Sequence, residues 1–243
     1  MFLYDLYHMN QKLDPKTLPN HIAVIMDGNR RWATARGLTA KDGHKAGADN
    51  LEKIVQYCRK IGIKHLTVYA LSTENWRQRS PVEVKGIFDL LLEIIQKKKR
   101  EYHRAGIKMF ILGNFQALPL KIKNAIKKLL KLTIIEEKLT FNIALNYGGR
   151  DEIVSAIKKI IKDKIPANKI NEKLISKYLY THGQPDPDLI IRPGGEHRLS
   201  NFLIWQLSYS ELYFTDVLWP DFNEDELDKA IVWYQNRKRN FGK

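Results

Sequence analysis

Six short apolar runs, each closed by a polar turn, constrain this chain more than any other feature. They cover residues 21–26, 66–71, 108–113, 141–146, 188–192 and 211–216. Apolar stretches this short, bounded by Gly, Asn, Asp or Ser, read as buried strands. Between them, apolar residues recur at helical spacing over about 45–60, 82–104, 120–132, 150–162, 171–180 and 224–239. Strands that alternate with helices lie in a parallel sheet covered on both faces, because each right-handed crossover lays a helix against one side. The expected fold is therefore α/β, a single domain with a mostly parallel six-stranded central sheet flanked by helices. With 243 residues, 44% of them hydrophobic, the chain can bury one such core. No internal repeat or long Gly, Ser or Pro linker divides it, so residues 1–18 read as a lead-in and 19–243 as one domain.

Lys and Arg outnumber Asp and Glu by 41 to 27, a net charge of +14. A field of that sign favours nucleic acid, anionic lipid or phosphorylated small molecules, and charge alone does not choose among them. Part of the excess sits in basic runs at 97–100, 121–131 and 158–164, mixed with Ile and Leu, which read as solvated faces of amphipathic helices. The single cysteine, Cys58, excludes an intrachain disulfide and any multi-cysteine metal site. It lies in an apolar-periodic segment and reads as a buried structural thiol, which suits a reducing cytoplasm. No apolar run reaches the roughly 20 residues that span a bilayer, and the first ten residues lack the form of a signal peptide. The chain is expected to be neither secreted nor transmembrane.

In open α/β sheets, ligands bind outside the carboxyl ends of the strands. That rule gathers Asp27-Gly28-Asn29-Arg30-Arg31-Trp32, Ser72-Thr73-Glu74-Asn75-Trp76-Arg77, Asn146-Tyr147-Gly148-Gly149-Arg150 and Arg192-Pro193-Gly194-Gly195-Glu196-His197-Arg198 into one arginine-rich crevice. Guanidinium forks and helix-start amides suit diphosphate, and Gly28 lets backbone approach it closely. A lone carboxylate among these cations becomes useful once Mg²⁺ bridges it to phosphate oxygens, so Asp27 is the metal candidate, with a plain helix cap as the alternative. Trp32 and Trp76 either wall an apolar cleft or pack in the core. Residues 84–95 carry an apolar band wider than one sheet face needs. That helix either lines a hydrophobic tunnel with its second side or is buried all round by protein.

Five blocks in register resemble the cis-prenyltransferase family, the isoprenyl transferases that include undecaprenyl diphosphate synthase. They are HIAVIMDGNRRWA at 21–33, GHKAG at 43–47, YALSTENW at 69–76, NYGGR at 146–150, and the stretch from DLIIR at 188–192 to Phe222; the similarity runs from about Pro19 to Phe222. The resemblance implies a homodimer and a magnesium-dependent head-to-tail condensation of isopentenyl diphosphate onto an allylic diphosphate whose tail occupies a hydrophobic tunnel. It makes 19–243 the catalytic domain, Asp27 the metal ligand that assists departure of the allylic diphosphate, and Asn75 the helper in proton removal. It implies that Gly28, Asn29, Arg30, Arg31 and His44 contact the allylic phosphates, and that Trp32, Ser72, Thr73, Glu74, Trp76, Arg77 and Arg79 complete the substrate site. Arg192, Arg198 and Ser200 match the family's isopentenyl diphosphate clamp. Glu211, with His197, corresponds to positions near the metal and can come from the partner subunit. Farnesyl or geranyl diphosphate is the implied starter, and the undecaprenyl carrier of the cell wall a possible product.

Two departures qualify the match. The family's arginine four positions before the His of GHKAG is absent, the chain reading Thr39-Ala40-Lys41-Asp42, which leaves open whether Lys41 replaces it. After Trp76 the chain reads one residue long, Arg77-Gln78-Arg79-Ser80-Pro81, which favours Arg79 over Arg77 as the family arginine.

The main rival is a basic nucleic-acid-binding module. Against it, the arginines stand at strand ends beside Gly and an acid rather than along one helix face, so nucleic acid is not the expected partner. A nucleotide-binding α/β protein lacks its Gly-Lys-Ser/Thr loop or its Gly-x-Gly-x-x-Gly here. The Asp-Asp-x-x-Asp cluster typical of trans-prenyltransferases is likewise missing. A product destined for bilayers suggests peripheral membrane contact through the basic faces.

Overall fold

The structure, a computed structural model, describes residues 13–130 and 136–238. The first part of the lead-in and the expected helix ends at Lys131, Leu132 and Arg239 lie outside the described residues, as do the side chains of Lys97, Lys99 and Leu130.

Six strands form one sheet: β1 (His21–Val24), β2 (His65–Ser72), β3 (Ile107–Leu112), β4 (Leu139–Tyr147), β5 (Leu189–Arg192) and β6 (Glu211–Phe214), in the order β3-β4-β2-β1-β5-β6. Every pairing is parallel. All four residues of β1 and β5 and all nine of β4 are buried, whereas the edge strand β6 has none buried. Strands covered on both faces need continuous apolar runs and edge strands do not, which is the pattern of the sequence.

Eight α-helices are described: α1 (Asn29–Thr34), α2 (Ala40–Ile61), α3 (Thr73–Gln78), α4 (Pro81–Arg104), α5 (Leu120–Leu130), α6 (Gly149–Lys162), α7 (Glu172–Tyr178) and α8 (Glu224–Gln235). Three short 3₁₀ turns, among them Trp219–Asp221, complete the path. The expected helices are all present, but α2 begins at Ala40 rather than near Lys45. Thr39 and Asp42 form a reciprocal capping box there, a start signal that apolar periodicity does not register. The helices α1 and α3, six residues each, read as polar turns in the sequence, because one and a half turns are too short for periodicity to show.

Leu18, Leu51, Ile54, Val55, Phe88, Leu91, Leu92, Ile95, Trp219, Phe222 and Ile231 belong to one large apolar cluster with the sheet's side chains; a smaller cluster around Ala23, Ile190, Tyr147 and Phe202 covers the other face. Cys58 is fully buried in the large cluster, and burial pushes its thiol up to about 12, as expected of an inert structural residue. The chain leaves β1 towards β2, β3 and β4, then crosses to β5 on the other flank of β1. The polar residues beyond β1 thus stand where the winding reverses direction, the usual location of a ligand crevice.

Candidate active site

Beyond β1 the chain extends through Ile25 and Met26 and turns at Gly28 into α1. Gly28 has φ +107°, and a Cβ there would lie 2.8 Å from Leu218 Cδ2. Both conditions call for glycine. The carbonyl of Asp27 accepts from Trp219 N at 2.9 Å, so the turn is fixed from the carboxyl-terminal side of the chain.

The Asp27 carboxylate sits between two guanidiniums. Its Oδ2 accepts from Arg192 Nη2 at 2.8 Å and its Oδ1 from Arg31 Nη2 at 3.2 Å. The Arg192 side chain is only 4% exposed, whereas Asp27 is 28% exposed at the lip. Arg192 Nη1 donates to Ser200 Oγ at 3.0 Å and to the Arg198 carbonyl. A buried guanidinium needs such partners, since an unpaired charge inside costs several kcal/mol. The Arg198 guanidinium itself turns to Glu196 and is largely exposed. The structure therefore joins Asp27, Arg31, Arg192 and Ser200 by side chain, and Arg198 by its backbone only.

On the elements that carry expected site residues, the buried atoms Asn29 Oδ1, His44 Nε2 and Arg192 Nε have no hydrogen-bond partner in the protein. Unsatisfied buried groups are uncommon in a native fold; Arg192 Nε belongs to the knot around Asp27 itself, whereas Asn29 Oδ1 faces Gly47 of α2. The His44 ring is held below its ordinary pKa by burial first and then by Arg79 and Arg30, against an opposing pull from Glu83. Arg30 reaches Glu83 at 3.9 Å. Burial likewise depresses Arg79, which feels Glu83 and Arg30, while Arg77 is exposed. Of the two alternatives, Arg79 is the one in electrostatic contact with His44 and Arg30. Glu83, on α4, is a member of this group that sequence reasoning missed, and no motif marks it.

The turn after β2 forms the second wall. Ser72 Oγ caps α3 by accepting from Asn75 N at 2.9 Å, and Thr73 Oγ1 donates to Glu74 Oε2 at 3.2 Å. Burial works to raise the Glu74 pKa, but hydrogen bonds from its own amide, Asn201, Thr73 and Ser72 outweigh it and hold the carboxyl below the usual range. Asn75 is exposed at the lip, and Trp76 meets the Phe88 ring edge-on at 5.0 Å, so its body packs against α4. Trp32 donates from Nε1 to Asp221 at 2.7 Å and is covered by Arg36, 4.2 Å above its ring. Its indole N–H is thus spent inside the protein.

Glu211, which the resemblance allows to come from the partner subunit, stands apart from Asp27 within one chain. Glu211 pairs in register with Leu189, three residues before Arg192, and bonds to Arg237 at 3.3 Å. At about 3.3 Å per residue it lies roughly 10 Å below the lip, so the chain's own Glu211 does not join Asp27. His197 stacks at a tilt on Phe214, 5.1 Å away, next to that strand's end. The amides after Gly148 are not free for a ligand either: Gly149 N and Arg150 N donate to the backbone and side-chain oxygens of Asn201, at 2.7 and 2.9 Å. A separate cleft of about 230 Å³, lined by Lys177, Thr181, His182, Gln184 and Trp205, contains none of the strand-end residues.

The comparisons with known proteins fit this arrangement. A family described as "Putative undecaprenyl diphosphate synthase" matches residues 25–242. The chain is 51% identical to the isoprenyl transferase of Fusobacterium nucleatum over 227 residues, covering 93% of this chain and 97% of that one. It is 45% identical over 235 residues to the Pasteurella multocida ditrans,polycis-undecaprenyl-diphosphate synthase, specific for (2E,6E)-farnesyl diphosphate, covering 95% and 98%. Among solved structures, lavandulyl diphosphate synthase from Lavandula x intermedia, in complex with dimethylallyl diphosphate, matches with a TM-score of 0.88 and 35% identity, covering 94% of this chain and all of that one. Fold and comparisons together define an enzyme that transfers prenyl groups. The chain belongs to the isoprenyl transferase family, that of the undecaprenyl diphosphate synthases.

Proposed function

We propose that this enzyme condenses isopentenyl diphosphate onto an allylic prenyl diphosphate, farnesyl diphosphate first among candidates, to build a Z-polyprenyl diphosphate. The observation that carries the reading is the Asp27 carboxylate held between Arg31 and the buried Arg192, whose Nε has no partner in the protein. The Pasteurella relative's name and the dimethylallyl diphosphate bound in the lavandulyl diphosphate synthase support an allylic diphosphate as one substrate. The undecaprenyl carrier for cell-wall synthesis as product is part of the same proposal.

In the reaction the allylic C–O bond breaks, and diphosphate leaves with the electron pair. The double bond of isopentenyl diphosphate attacks the allylic carbon, and a proton is lost from the condensing unit. Arg30, Arg31, His44 and the turn at Gly28 and Asn29 bind and orient the leaving diphosphate. Arg192, Ser200 and Arg198 hold isopentenyl diphosphate, Arg198 after turning from Glu196. Asn75, helped by Ser72, Thr73 and Glu74, stands where the proton departs, and Trp76, Arg77 and Arg79 close that wall. A diphosphate entering this site replaces Asp27 as counter-ion to the arginines, so cations already positioned meet the charge that develops.

Mg²⁺ is the proposed cofactor, and the residues fit it. Among the described residues no group of three or more His, Cys, Asp or Glu gathers to form a protein cage. Asp27 presents one partly exposed carboxylate, and Mg²⁺ commonly takes one or two carboxylates together with substrate phosphates and water. When bound, the ion supplies charge neutralisation to the leaving diphosphate. The hydrocarbon tunnel is proposed along α4. Its notional lining, Ala70, Phe88, Leu92 and Leu145, lies in the large apolar cluster.

A homodimer is proposed through the outer face of α6, and Glu211 is proposed to reach a neighbouring subunit's metal. No helix among the described residues is long and apolar enough to cross a membrane. Cytoplasmic residence with peripheral membrane contact through the basic faces is proposed on the charge of the chain and the expected lipid product; vesicle pull-down at low salt tests the contact.

Labelled isopentenyl diphosphate, farnesyl diphosphate and Mg²⁺, followed by product sizing, test the reaction. The expected result is a ladder of longer prenyl diphosphates that Asp27→Asn reduces at least about a hundredfold, since it removes a charge needed in the transition state. Full turnover by the variant with unchanged magnesium dependence would refute the Asp27 assignment; absence of any product from the wild type would refute the reaction.

A further inference from the structure

We infer that Asn201 is a positioning residue that locks the isopentenyl diphosphate clamp to the turn carrying Asn75. This rests on the condensation proposed above. Asn201 follows Ser200, and both residues take left-handed backbone, φ +64° and +49°. Its side chain spends both ends on different elements: Nδ2 donates to Glu74 Oε1 at 2.7 Å, and Oδ1 accepts from Arg150 N at 2.9 Å. Its carbonyl accepts from Gly149 N at 2.7 Å. One residue thus fastens the loop after β5 to the turns after β2 and β4.

The junction has no slack. A Cβ on Gly148 would lie 2.6 Å from Thr73 Oγ1 and 2.8 Å from Asn201 Nδ2. Tyr69 OH stitches the same turns from below, 3.0 Å from the Tyr147 carbonyl and 3.4 Å from that of Ser200. On one side, Asn201 fixes the neighbouring Ser200, whose Oγ orients the buried Arg192. On the other it fixes Glu74, the neighbour of Asn75. The chemistry requires asparagine: the position needs left-handed backbone, one donor and one acceptor, and Asn tolerates that conformation better than other side chains. Asn201 faces no proposed reacting atom, so it acts through these two neighbours.

The test exchanges the pair's polarity. Asn201→Asp sets a carboxylate against Glu74, Asn201→Gly removes the side chain while keeping the backbone, and Asn201→Asp with Glu74→Gln restores one donor and one acceptor. Steady-state kinetics, calorimetric binding of isopentenyl and farnesyl diphosphate and thermal melts are measured for each, with Glu74→Gln as reference. In both single Asn201 variants the KM for isopentenyl diphosphate is expected to rise roughly tenfold to a hundredfold, as for loss of one or two charge-assisted contacts. The turnover number should fall alongside it, while farnesyl diphosphate affinity stays within about threefold, because Asn201 makes no direct hydrogen bond to the Asp27 turn and Arg31 still holds Asp27. The double variant should recover to near Glu74→Gln alone. If Asn201→Asp does not fold, Asn201→Gly decides. Wild-type kinetics in Asn201→Gly, no recovery in the double variant, or parallel loss of both substrates would each overturn the role. A wild type that binds neither diphosphate instead overturns the condensation on which it rests.

Discussion

His21 opens β1 with its ring 3% exposed. Its Nδ1 lies 2.7 Å from the Pro185 carbonyl, and its Nε2 lies 2.7 Å from Thr67 Oγ1, which also accepts from Asn142 Nδ2. The chain of donors fixes a neutral tautomer: Nδ1–H donates to Pro185 and Nε2 accepts from the Thr67 hydroxyl. Burial, with a smaller push from His65 at 5.6 Å, lowers the ring to about 4, despite backbone hydrogen bonds to Pro185 and Asp186 that favour the charged form. The unfolded chain, titrating near 6.5, binds the extra proton first. The resulting stability is present above that pH and is lost as pH falls from about 6.5 to about 4, a contribution on the order of 3 kcal/mol. His21→Leu should melt lower at pH 7.5, having orphaned Thr67 and Pro185, yet lose less stability on acidification than the wild type; identical pH slopes in chemical denaturation would contradict this. Such residues differ in how openly the sequence shows them. Asp27 and Arg192 are legible because a charged residue at the end of an apolar run has few reasons to be there. Asn201 and Glu83 are not legible, since their importance comes from a backbone φ in one case and a tertiary neighbour in the other. Arg192, proposed as a substrate clamp, is also the buried counter-ion of Asp27.

At the scale of elements, the crevice depends on two short helices that have little stability of their own. The helix α1 lies on α2 where Gly43 leaves room: a Cβ on Gly43 would penetrate the Asn29 carbonyl and come within 3.0 Å of Ala33 Cβ. Gly43→Ala should therefore push α1 outward, cost about 1–3 kcal/mol through overpacking despite a better helix former, and weaken farnesyl diphosphate binding. Gly86, in α4, has nothing within 4 Å of its Cβ position. Gly86→Ala should instead stabilise by up to about 1 kcal/mol, and equal melting temperatures for the two variants would rule out close packing as the cause. The long helices and all six strands were legible because their periodicity reflects burial. The short helices were not, although Ser72 before Thr73-Glu74 and Thr39 before Asp42 are start signals that capping rules can read.

For the whole molecule, the outer face of α6 is the surface most in need of a partner. Val154, Ile157 and Ile161 are 48%, 46% and 69% exposed at helical spacing, with Ile204 packed beside the start of that helix. Apolar groups in a row on an open helix face mark an association site. Ile157→Asp combined with Ile161→Asp should give a monomer by sedimentation where the wild type is a dimer, with reduced turnover; a monomeric wild type at micromolar concentration would remove the proposal. The parallel architecture was legible because each strand alternates with a helix, whereas the strand order was not, since periodicity carries no information about neighbours. That order has a temporal consequence. β1 lies inside the sheet, and one of its flanking strands, β5, is made after residue 188. Leu218 and Trp219, which brace Gly28 and Asp27, emerge later still. On the ribosome the amino-terminal half therefore waits with unsatisfied edges, a state in which chaperone contact is most useful. The nascent enzyme completes the lip around Asp27 only after Trp219 has been translated.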